Sequence, residues 1–434
     1  MIRRVMIANR GEIACRIAAT AHRMGIATAA VYTDADRLAL HADAADIAVA
    51  IDSYLDAAAV IAAARTVGAD AVHPGYGFLA ENADFAEAVI AAGLTWIGPT
   101  PDQIRLLGDK IAAKRAAIDA GVPTTDLITV DPTAPPDPAT LPPFPLLVKA
   151  AAGGGGRGMR VVTAPDDLAD AIAAASREAQ SAFGDGTVFI EPYLARGRHV
   201  EVQIFGDAHG NVVHLGEREC SIQRRNQKIV EESPSPGISE ETRAALHAGA
   251  IALATHVGYV GAGTVEFMVG ESGDGAPLIT FLEVNTRLQV EHPVTEAVTG
   301  LDLVEWQLRV AAGEPLPLTQ DEITFAGAAI EVRLVAEDPA AGWLPSVGTL
   351  THFDLDAPGI RLDTGFRAGS TVAADYDSLL AKVIAHDTTR TAAAARLARA
   401  LTRSRIAGVH TNAATLAAIL AEPDFLAGNT TTAY

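Results

Sequence analysis

The sequence predicts a mixed α/β and α+β protein that begins with a doubly wound, Rossmann-like domain. Three observations support this prediction. Short apolar strands alternate with amphipathic helices over residues 1–105, a glycine-rich loop separates two short strands near residue 150, and residues 326–386 are mainly strand-like before a helical stretch at 389–420. A chain of 434 residues is too long for one core, so about two to four domains are expected.

The first hundred residues account for the doubly wound domain. Apolar strands are predicted at 2–8, 27–32, 71–73 and 95–97, and helices at 12–24, 57–67 and 82–92. Repeated strand–helix units form a parallel sheet with helices on both faces, and ligands bind at the carboxyl ends of the strands. We expect this domain to end near residue 105.

The middle of the chain has a different pattern. Seven prolines between Val130 and Pro145 exclude a continuous helix and predict an extended connector. Strands at 146–149 and 160–162 flank the glycines and predict a hairpin, whereas a P-loop runs from a strand into a helix and ends in Gly-Lys-Ser/Thr. Residues 187–291 are rich in strands with one helix near 241–256, and a last helix is expected at 301–312.

Composition excludes several classes of protein. The chain has 53 acidic and 33 basic residues and a net charge of −20, which argues against nucleic-acid and membrane-surface partners because both are polyanions. No apolar stretch reaches the roughly 20 residues of a spanning helix, and no export signal is visible. Only Cys15 and Cys220 are present, too few for a disulfide framework. A cytoplasmic protein is expected.

The glycine loop at 153–158 is the first candidate binding element. Its backbone N–H groups are free to point at an anion, and Lys149 stands just before it at a strand end. A cation beside such a loop is typical of a nucleotide-phosphate clamp. Taken alone, the loop is equally compatible with a mobile β-turn.

The segment Phe281–His292 is the strongest single signal. If it stays extended, five polar side chains project to one face, at positions 283, 285, 287, 289 and 291. A solvated strand face is the ordinary alternative, but asparagine is a poor strand residue. On a second strand, Glu266 is an acid among apolar neighbours, and buried carboxylates need a partner or a metal. Two carboxylates and an amide oxygen on neighbouring strands predict a Mg²⁺ site.

Two further segments of the sequence are each compatible with two structural interpretations. His199, Glu201 and Gln203 alternate along a strand, so they either line the cleft or form an ordinary half-exposed strand face. The run 217–228 is dense in cations within an acidic chain, which indicates either a solvated charge run or a small-anion pocket.

These motifs together resemble the biotin carboxylase subunit or domain of biotin-dependent carboxylases, members of the ATP-grasp superfamily. The matching segments occur in order along nearly the whole chain: Val5–Ala14, His73–Asn82, Gly108–Lys110, the glycine loop, Glu217–Ser233 and Glu283–Thr295. The resemblance implies an N-terminal domain at 1–105, an ATP-grasp domain at 106–312 with a glycine-rich lid at about 122–192, and a mainly β C-terminal domain with helices at 325–431.

The resemblance also implies an activity, that of the first half-reaction of an acetyl- or acyl-CoA carboxylase, as in fatty acid metabolism. ATP activates bicarbonate to carboxyphosphate, and N1 of a carrier-linked biotin is carboxylated. The cofactors implied are ATP, Mg²⁺ or Mn²⁺, and biotin. The partners implied are a biotin carboxyl carrier protein or domain, a carboxyltransferase subunit and a second copy in a homodimer.

Site residues are carried over by position. The implied ATP-binding residues are Lys110, Lys149, Gly155, Gly156, Glu191, Leu194, His199, Glu201, Gln223 and Asn226, with the backbone of 191–194 against the adenine. The implied metal ligands are Glu266, Glu283 and Asn285, and the implied bicarbonate-binding residues are Lys228, Arg287, Gln289 and Val290. Catalysis is assigned to Lys228, Arg287, Glu291 as general base and Arg333 as the cation facing the biotin enolate.

Some positions depart from the family pattern. Asn226 stands where many free-standing subunits have histidine, the glycine loop is preceded by Ala150–Ala152, and the proline connector at 131–145 replaces a longer helical segment. The biotin-accepting Met-Lys-Met motif does not occur, because the methionines are at 1, 6, 24, 159 and 268. The carrier is therefore expected on another polypeptide or on a further domain of a longer chain.

Two alternative functions stay open at this point. Another ATP-grasp ligase would join a carboxylate to an amine and would not need an enolate-facing arginine at 333. A catalytically silent nucleotide-binding scaffold would not need the acids and arginines at 266, 283, 287, 291 and 333 together.

Overall fold

The computed structural model describes residues 1–151, 158–271, 277–355 and 357–434. In these ranges the strands form a five-stranded, a four-stranded and an eight-stranded sheet, with three two-stranded ribbons. Residues 153–157 of the predicted glycine loop, including Gly155 and Gly156, lie outside the described residues.

The N-terminal sheet is parallel and has the strand order β3-β2-β1-β4-β5. Its elements are β1 (Arg4–Ile7), α1 (Gly11–Arg23), β2 (Ala27–Tyr32), α2 (Leu40–Ala44), β3 (Ile47–Ala50), α3 (Ala57–Thr66), β4 (Ala71–His73), α4 (Ala83–Ala91), β5 (Thr95–Trp96) and α5 (Pro101–Gly108). Met6 packs on one face and Ile7 on the other, each in its own apolar core, so helices cover both faces. The predicted doubly wound sheet is confirmed. The elements α2, α5 and β3 were not predicted; β3 is a short edge strand with no more than half-buried residues.

A four-stranded antiparallel sheet follows, in the order β6-β9-β7-β8. This region comprises α6 (Lys110–Asp119), β6 (Ile128–Val130), β7 (Leu146–Ala150), β8 (Met159–Val162), α7 (Leu168–Phe183) and β9 (Val188–Pro192). Strands β7 and β8 pair from Leu146 with Val162 to Lys149 with Met159, which confirms the predicted hairpin around the glycines. The proline connector is irregular, with one 3₁₀ turn at Pro138–Thr140.

The eight-stranded sheet has the order β14-β13-β10-β11-β12-β15-β22-β20. The first part of the chain that forms this sheet folds into β10 (Arg198–Gly206), β11 (Val212–Arg224), β12 (Gln227–Ser233), α8 (Glu240–His256), β13 (Gly261–Glu271), β14 (Pro277–Asn285), α9 (His292–Thr299) and α10 (Leu303–Ala311). The later elements are β15 (Ala328–Val335), β16 (Glu337–Asp338), β17 (Leu344–Pro345), β18 (Gly348–Thr349), β19 (His352–Asp354), β20 (Ile360–Thr364), β21 (Thr371–Val372), β22 (Leu379–Asp387), α11 (Arg390–Arg403), β23 (Arg405–Ala407), α12 (Ala413–Ile419) and α13 (Pro423–Leu426).

One pairing in this sheet matters for the site. Strand β12 pairs antiparallel with β15, with Glu231 opposite Glu331, so the sheet continues from residues 198–285 into residues 328–387. Glu266 on β13 and Arg333 on β15, which lie on opposite sides of residue 312 in the chain, therefore belong to one sheet. The predicted domain boundaries themselves stay predictions.

Among the described residues, no helix combines the length and the apolar character that spanning a membrane requires.

Candidate active site

The segment Phe281–His292 is not extended throughout, and this expectation was wrong. Strand β14 ends at Asn285, residues 286–291 form a turn, and α9 begins at His292. Pro293 lies in the first helical turn, where its missing N–H costs nothing. Asn285, Arg287 and Gln289 therefore meet because the chain folds back on itself, and not because they alternate along a strand.

Lys228 is at the centre of the charged cluster in this region. Its Nζ lies 2.6 Å from Glu201 Oε2, 3.0 Å from Glu266 Oε1 and 2.6 Å from Glu291 Oε1. These carboxylates come from β10, from β13 and from the turn before α9. One ammonium thus holds three buried carboxylates together, which no local sequence pattern specifies.

Arg218 is a member of this cluster that the sequence analysis missed. It is fully buried on β11; its Nε donates to Glu201 at 2.6 Å and its Nη1 to Gln203 at 2.8 Å. Glu217 and Glu219 are buried beside it, so the start of the 217–228 run is not a solvated charge run. Because Lys228 divides one positive charge among three carboxylates, Arg218 supplies further positive charge to buried Glu201, a pairing that only the folded structure reveals.

Glu291 lies between two cations. Its Oε1 accepts from Lys228, and its Oε2 accepts from Arg333 Nη2 at 3.0 Å. Burial alone would raise the pKa of Glu291, but Lys228, Arg333 and Arg218 together lower it. The carboxylate is consequently ionised at neutral pH and able to accept a proton.

Arg333 has a second carboxylate partner. Its Nε donates to Glu231 Oε1 at 2.6 Å, and Glu231 is fully buried. Burial raises the pKa of Glu231 to about 7, although Arg333 lowers it. Glu231 was not among the predicted site residues, since its partner lies about a hundred positions away in the chain.

Glu266 has hydrogen-bond donors on both carboxylate oxygens. His199 Nε2 lies 2.8 Å from Oε2, while Asn285 Nδ2 donates to Oε1 at 2.8 Å. Gln223 Nε2 donates to His199 Nδ1 at 2.8 Å, which assigns the proton on the imidazole to Nε2. Of the two readings of the 199–203 strand, the half-exposed face is excluded, because His199, Glu201 and Gln203 are all buried.

The predicted metal ligands meet where β13 and β14 pair. Glu266 and Glu283 are cross-strand partners in register, and Asn285 contacts Glu266 directly. Glu283 is partly exposed and lies 3.2 Å from Lys110 Nζ, a predicted ATP-binding residue. Two carboxylates and an amide oxygen are hard donors, so this set fits Mg²⁺ chemically.

Two other groups of side chains have possible metal-ligand atoms close together. His199, Glu201 and Glu266 form one, and Glu201, Cys220 and Glu291 form another. The carboxylates of both groups already contact the ammonium of Lys228 within 3.0 Å. Glu266 of the predicted set contacts Lys228 as well, so this contact does not separate the first group from the predicted set. The second group is the poorer candidate, because the thiol of Cys220 is a poor ligand for Mg²⁺.

Arg287 is held in place by the turn around it. Its Nη2 donates to Asn285 Oδ1 and its Nη1 to Gln289 Oε1, each at 3.0 Å. Its Nε donates to Glu81 Oε2 at 2.9 Å, so a residue of the His73–Asn82 motif reaches this turn. Glu81, which contacts Arg287, was not among the predicted site residues.

The predicted ATP-binding residues not yet described lie around β9 and at the β11–β12 hairpin. Lys149 Nζ is 3.0 Å from Glu191 Oε2, and Glu191 also accepts from Lys114, a buried lysine that the prediction missed. Leu194 is half-buried just after β9. Asn226 is exposed at the tip of the β11–β12 hairpin with φ +65°, a conformation that asparagine tolerates better than most residues.

Comparison with known protein families gives consistent matches along the chain. The matching domain models are described as biotin carboxylase N-terminal domain over residues 1–104, carbamoyl-phosphate synthase L chain ATP-binding domain over 109–319, and biotin carboxylase C-terminal domain over 331–434.

Relatives of known name span the same range. A biotin carboxylase from Haemophilus influenzae is 46% identical, with 100% of this chain and 98% of the relative covered. The mitochondrial methylcrotonoyl-CoA carboxylase subunit alpha of Arabidopsis thaliana is 48% identical; the match covers the whole chain but only 60% of that protein.

Solved structures agree with the fold. A biotin carboxylase–β,γ-ATP complex from Campylobacter jejuni has a TM-score of 0.95 and 41% identity, covering 100% of this chain and 98% of the other. The biotin carboxylase domain dimer of Hydrogenobacter thermophilus 2-oxoglutarate carboxylase, in complex with MgADP, ADP and bicarbonate, has a TM-score of 0.93 and 42% identity, covering 100% and 97%.

Proposed function

The chain belongs to the biotin carboxylase family of ATP-dependent, carbon–nitrogen bond-forming ligases, and on this basis we propose that it carboxylates N1 of biotin with bicarbonate and Mg-ATP. The reaction is the first half-reaction of an acyl-CoA carboxylase. ATP phosphorylates bicarbonate to carboxyphosphate and leaves as ADP. Carboxyphosphate then splits into CO₂ and inorganic phosphate, and N1 of biotin loses its proton to the released phosphate as it bonds the CO₂.

The position of Glu291 between Lys228 and Arg333 is the observation that supports this proposal. Bicarbonate is a poor nucleophile until it loses its proton, and an ionised, buried carboxylate is a suitable acceptor. Glu291 takes this proton. Lys228 then holds the resulting anion by charge.

Arg287 supplies the second contact for the bicarbonate anion. Its terminal nitrogens donate to the neutral amide oxygens of Asn285 and Gln289. An anionic oxygen is a stronger acceptor than an amide oxygen, so bicarbonate displaces these weaker bonds without leaving a buried charge unpaired.

Arg333 acts on biotin. The biotin N1 proton is hardly acidic, so a fixed cation near the ureido oxygen must stabilise the enolate. A guanidinium keeps its charge at any working pH, which suits this role. An amine ligase has no use for such a group, and this argues against the alternative ligase function.

Glu266, Glu283 and Asn285 would hold Mg²⁺, and the metal when bound would neutralise charge on the β- and γ-phosphate oxygens. Lys110 and Lys149 add further positive charge along the nucleotide. Lys149 is held by Glu191, which also contacts Lys114.

The proposal also includes partners. This chain spans 60% of the length of its Arabidopsis relative, so biotin would be presented by a carrier protein or a carrier domain of a larger assembly. A carboxyltransferase subunit would consume the carboxybiotin. A homodimer is proposed by analogy with the dimeric domain from Hydrogenobacter, and the working compartment is proposed to be the cytoplasm.

The test is a coupled assay for ADP release by the purified chain. We expect ADP release that requires bicarbonate and Mg²⁺ and that rises with free biotin. A folded protein that binds Mg-ATP but shows no bicarbonate-dependent turnover at any biotin concentration would contradict the proposal and favour a silent scaffold.

A further inference from the structure

A fully buried lysine contacts the turn that carries the predicted bicarbonate-binding residues. Lys382, on β22, has no exposed surface, and the proposed reaction assigns it no role. An ammonium is buried at this depth only when it is paired and hydrogen-bonded. Its partners therefore indicate what it does.

Lys382 lies on the same sheet face as Arg333. The two residues are direct cross-strand partners on β15 and β22, and Asp363 is the partner of Lys382 on β20. Side chains opposite one another in an antiparallel pair project to the same face. Arg333, the residue proposed to act on biotin, thus lies in one row of charged side chains with Lys382 and Asp363 across three neighbouring strands.

The hydrogen bond from Lys382 reaches the backbone of the turn. Its Nζ donates to the carbonyl oxygen of Val290 at 3.0 Å. This carbonyl belongs to the same planar peptide group as the N–H of Glu291, so holding the oxygen orients the whole group. The preceding carbonyl, that of Gln289, accepts from His292 Nδ1 at 2.7 Å. Two consecutive carbonyls of the turn are thus each held by a buried side chain.

The counter-charge for Lys382 comes from the N-terminal region. Nζ lies 3.1 Å from Glu12 Oε1 and 3.6 Å from Asp363 Oδ2. Glu12 stands in the first turn of α1, within the Val5–Ala14 motif to which the predicted site gave no role. A Cβ atom on Gly365 would lie 2.6 Å from the carbonyl carbon of Gly11, so glycine at 365 is what lets α1 pack this closely.

We propose that Lys382 is a positioning residue that fixes the Val290–Glu291 peptide for bicarbonate binding, with Glu12 as its counter-ion. The proposal rests on the proposed function and extends it, because it gives the N-terminal region a part in the geometry of the site. Loss of the Lys382 contact would let the turn move, and bicarbonate affinity would fall through misplaced groups and not through a lost direct contact.

The experiment compares Lys382→Met, the double variant Lys382→Met/Glu12→Gln, and Arg390→Met as a matched control. Arg390 pairs with buried Glu232 at 3.0 Å, away from the turn. Both Lys382 variants should raise the KM for bicarbonate ~10-fold or more and change the KM for ATP by less than ~2-fold. The double variant should regain part of the thermal midpoint that Lys382→Met loses, because the closer of the two carboxylates paired with Lys382 is then neutral, but it should not regain the bicarbonate KM.

A second readout does not depend on the reaction. Hydrogen–deuterium exchange of the peptide spanning residues 286–294 should be faster in the double variant than in the wild type, and unchanged in Arg390→Met. If the bicarbonate KM of the double variant recovered together with its thermal midpoint, Lys382 and Glu12 would be a purely structural pair and the proposal would be overturned. Unchanged hydrogen–deuterium exchange of residues 286–294 in the double variant would also overturn it. Failure of the wild type to release ADP with bicarbonate would instead refute the proposed function, while exchange would still report on the turn.

Discussion

Arg333 Nη2 donates a hydrogen bond to Glu291 Oε2 at 3.0 Å. The residue proposed to stabilise the biotin enolate thus touches the residue proposed to deprotonate bicarbonate. The two half-steps of the reaction share one partly buried ion pair, so a change at either residue acts on both, although not equally.

Replacing Arg333 by alanine should separate these half-steps. We expect carboxybiotin formation to fall by ~100-fold or more, since a preorganised charge is lost where the enolate develops. Bicarbonate-dependent ATP cleavage should fall by less, because Lys228 still contacts Glu291. Both products are measured in the same reaction, with Arg390→Ala as the control. Equal losses of the two activities would contradict the role assigned to Arg333.

Removing the ammonium of Lys228 should be costly for the fold as well as for activity. Lys228→Met leaves Glu201, Glu266 and Glu291 without their shared cation. Uncompensated buried charge of this kind lowers the free energy of unfolding by about 3 kcal/mol. Urea unfolding measures the change, and Arg309→Met, in an exposed pair, should cost less than about 1 kcal/mol. A similar small cost for Lys228→Met would refute the central role of this lysine.

Glu283→Gln tests the predicted metal site. The side chain is partly exposed, so the thermal midpoint should change little. The Mg²⁺ concentration needed for half-maximal ADP release should rise by ~10-fold or more, since a neutral amide is a weaker ligand than a carboxylate. Glu314→Gln, in an exposed pair with Arg309, is the control and should leave the Mg²⁺ dependence as it is. An unchanged requirement in Glu283→Gln would remove this residue from the ligand set.

Glu217 should make the fold sensitive to acid. Burial by itself would raise the pKa of Glu217, but His247 and Arg243 lower it to about 2 from the ordinary 4.5. Between these values the folded state binds fewer protons than the unfolded state, so stability falls as the pH drops through this window. The contribution at neutral pH is up to about 3 kcal/mol.

The matching measurement is the free energy of unfolding as a function of pH. Glu217→Gln should be less stable than the wild type at pH 7, and the difference should shrink as the pH falls toward 2. A constant difference between the two proteins across this range would show that titration of Glu217 does not contribute to acid unfolding.

Local sequence patterns were sufficient for much of the fold. The strands at 27–32 and 71–73 were predicted to the residue, and the β7–β8 hairpin followed from two strands around a glycine run. Each of these depends on contacts or conformations close in sequence. Short or weakly patterned elements such as β3 and α2 were missed, because burial by distant residues, not local periodicity, defines them.

The sequence by itself determined the family, through motifs that occur in order along the chain, and with it the set of candidate site residues. The tertiary structure alone decided how these residues pair: the turn that brings Arg287 to Gln289, the burial of Arg218 against Glu201, and the contact of Lys382 with Val290. The reason is physical. A buried charge must find its partner in space, and strand pairing and helix packing bring together residues that are far apart in the chain, as Lys382 and Glu12 are.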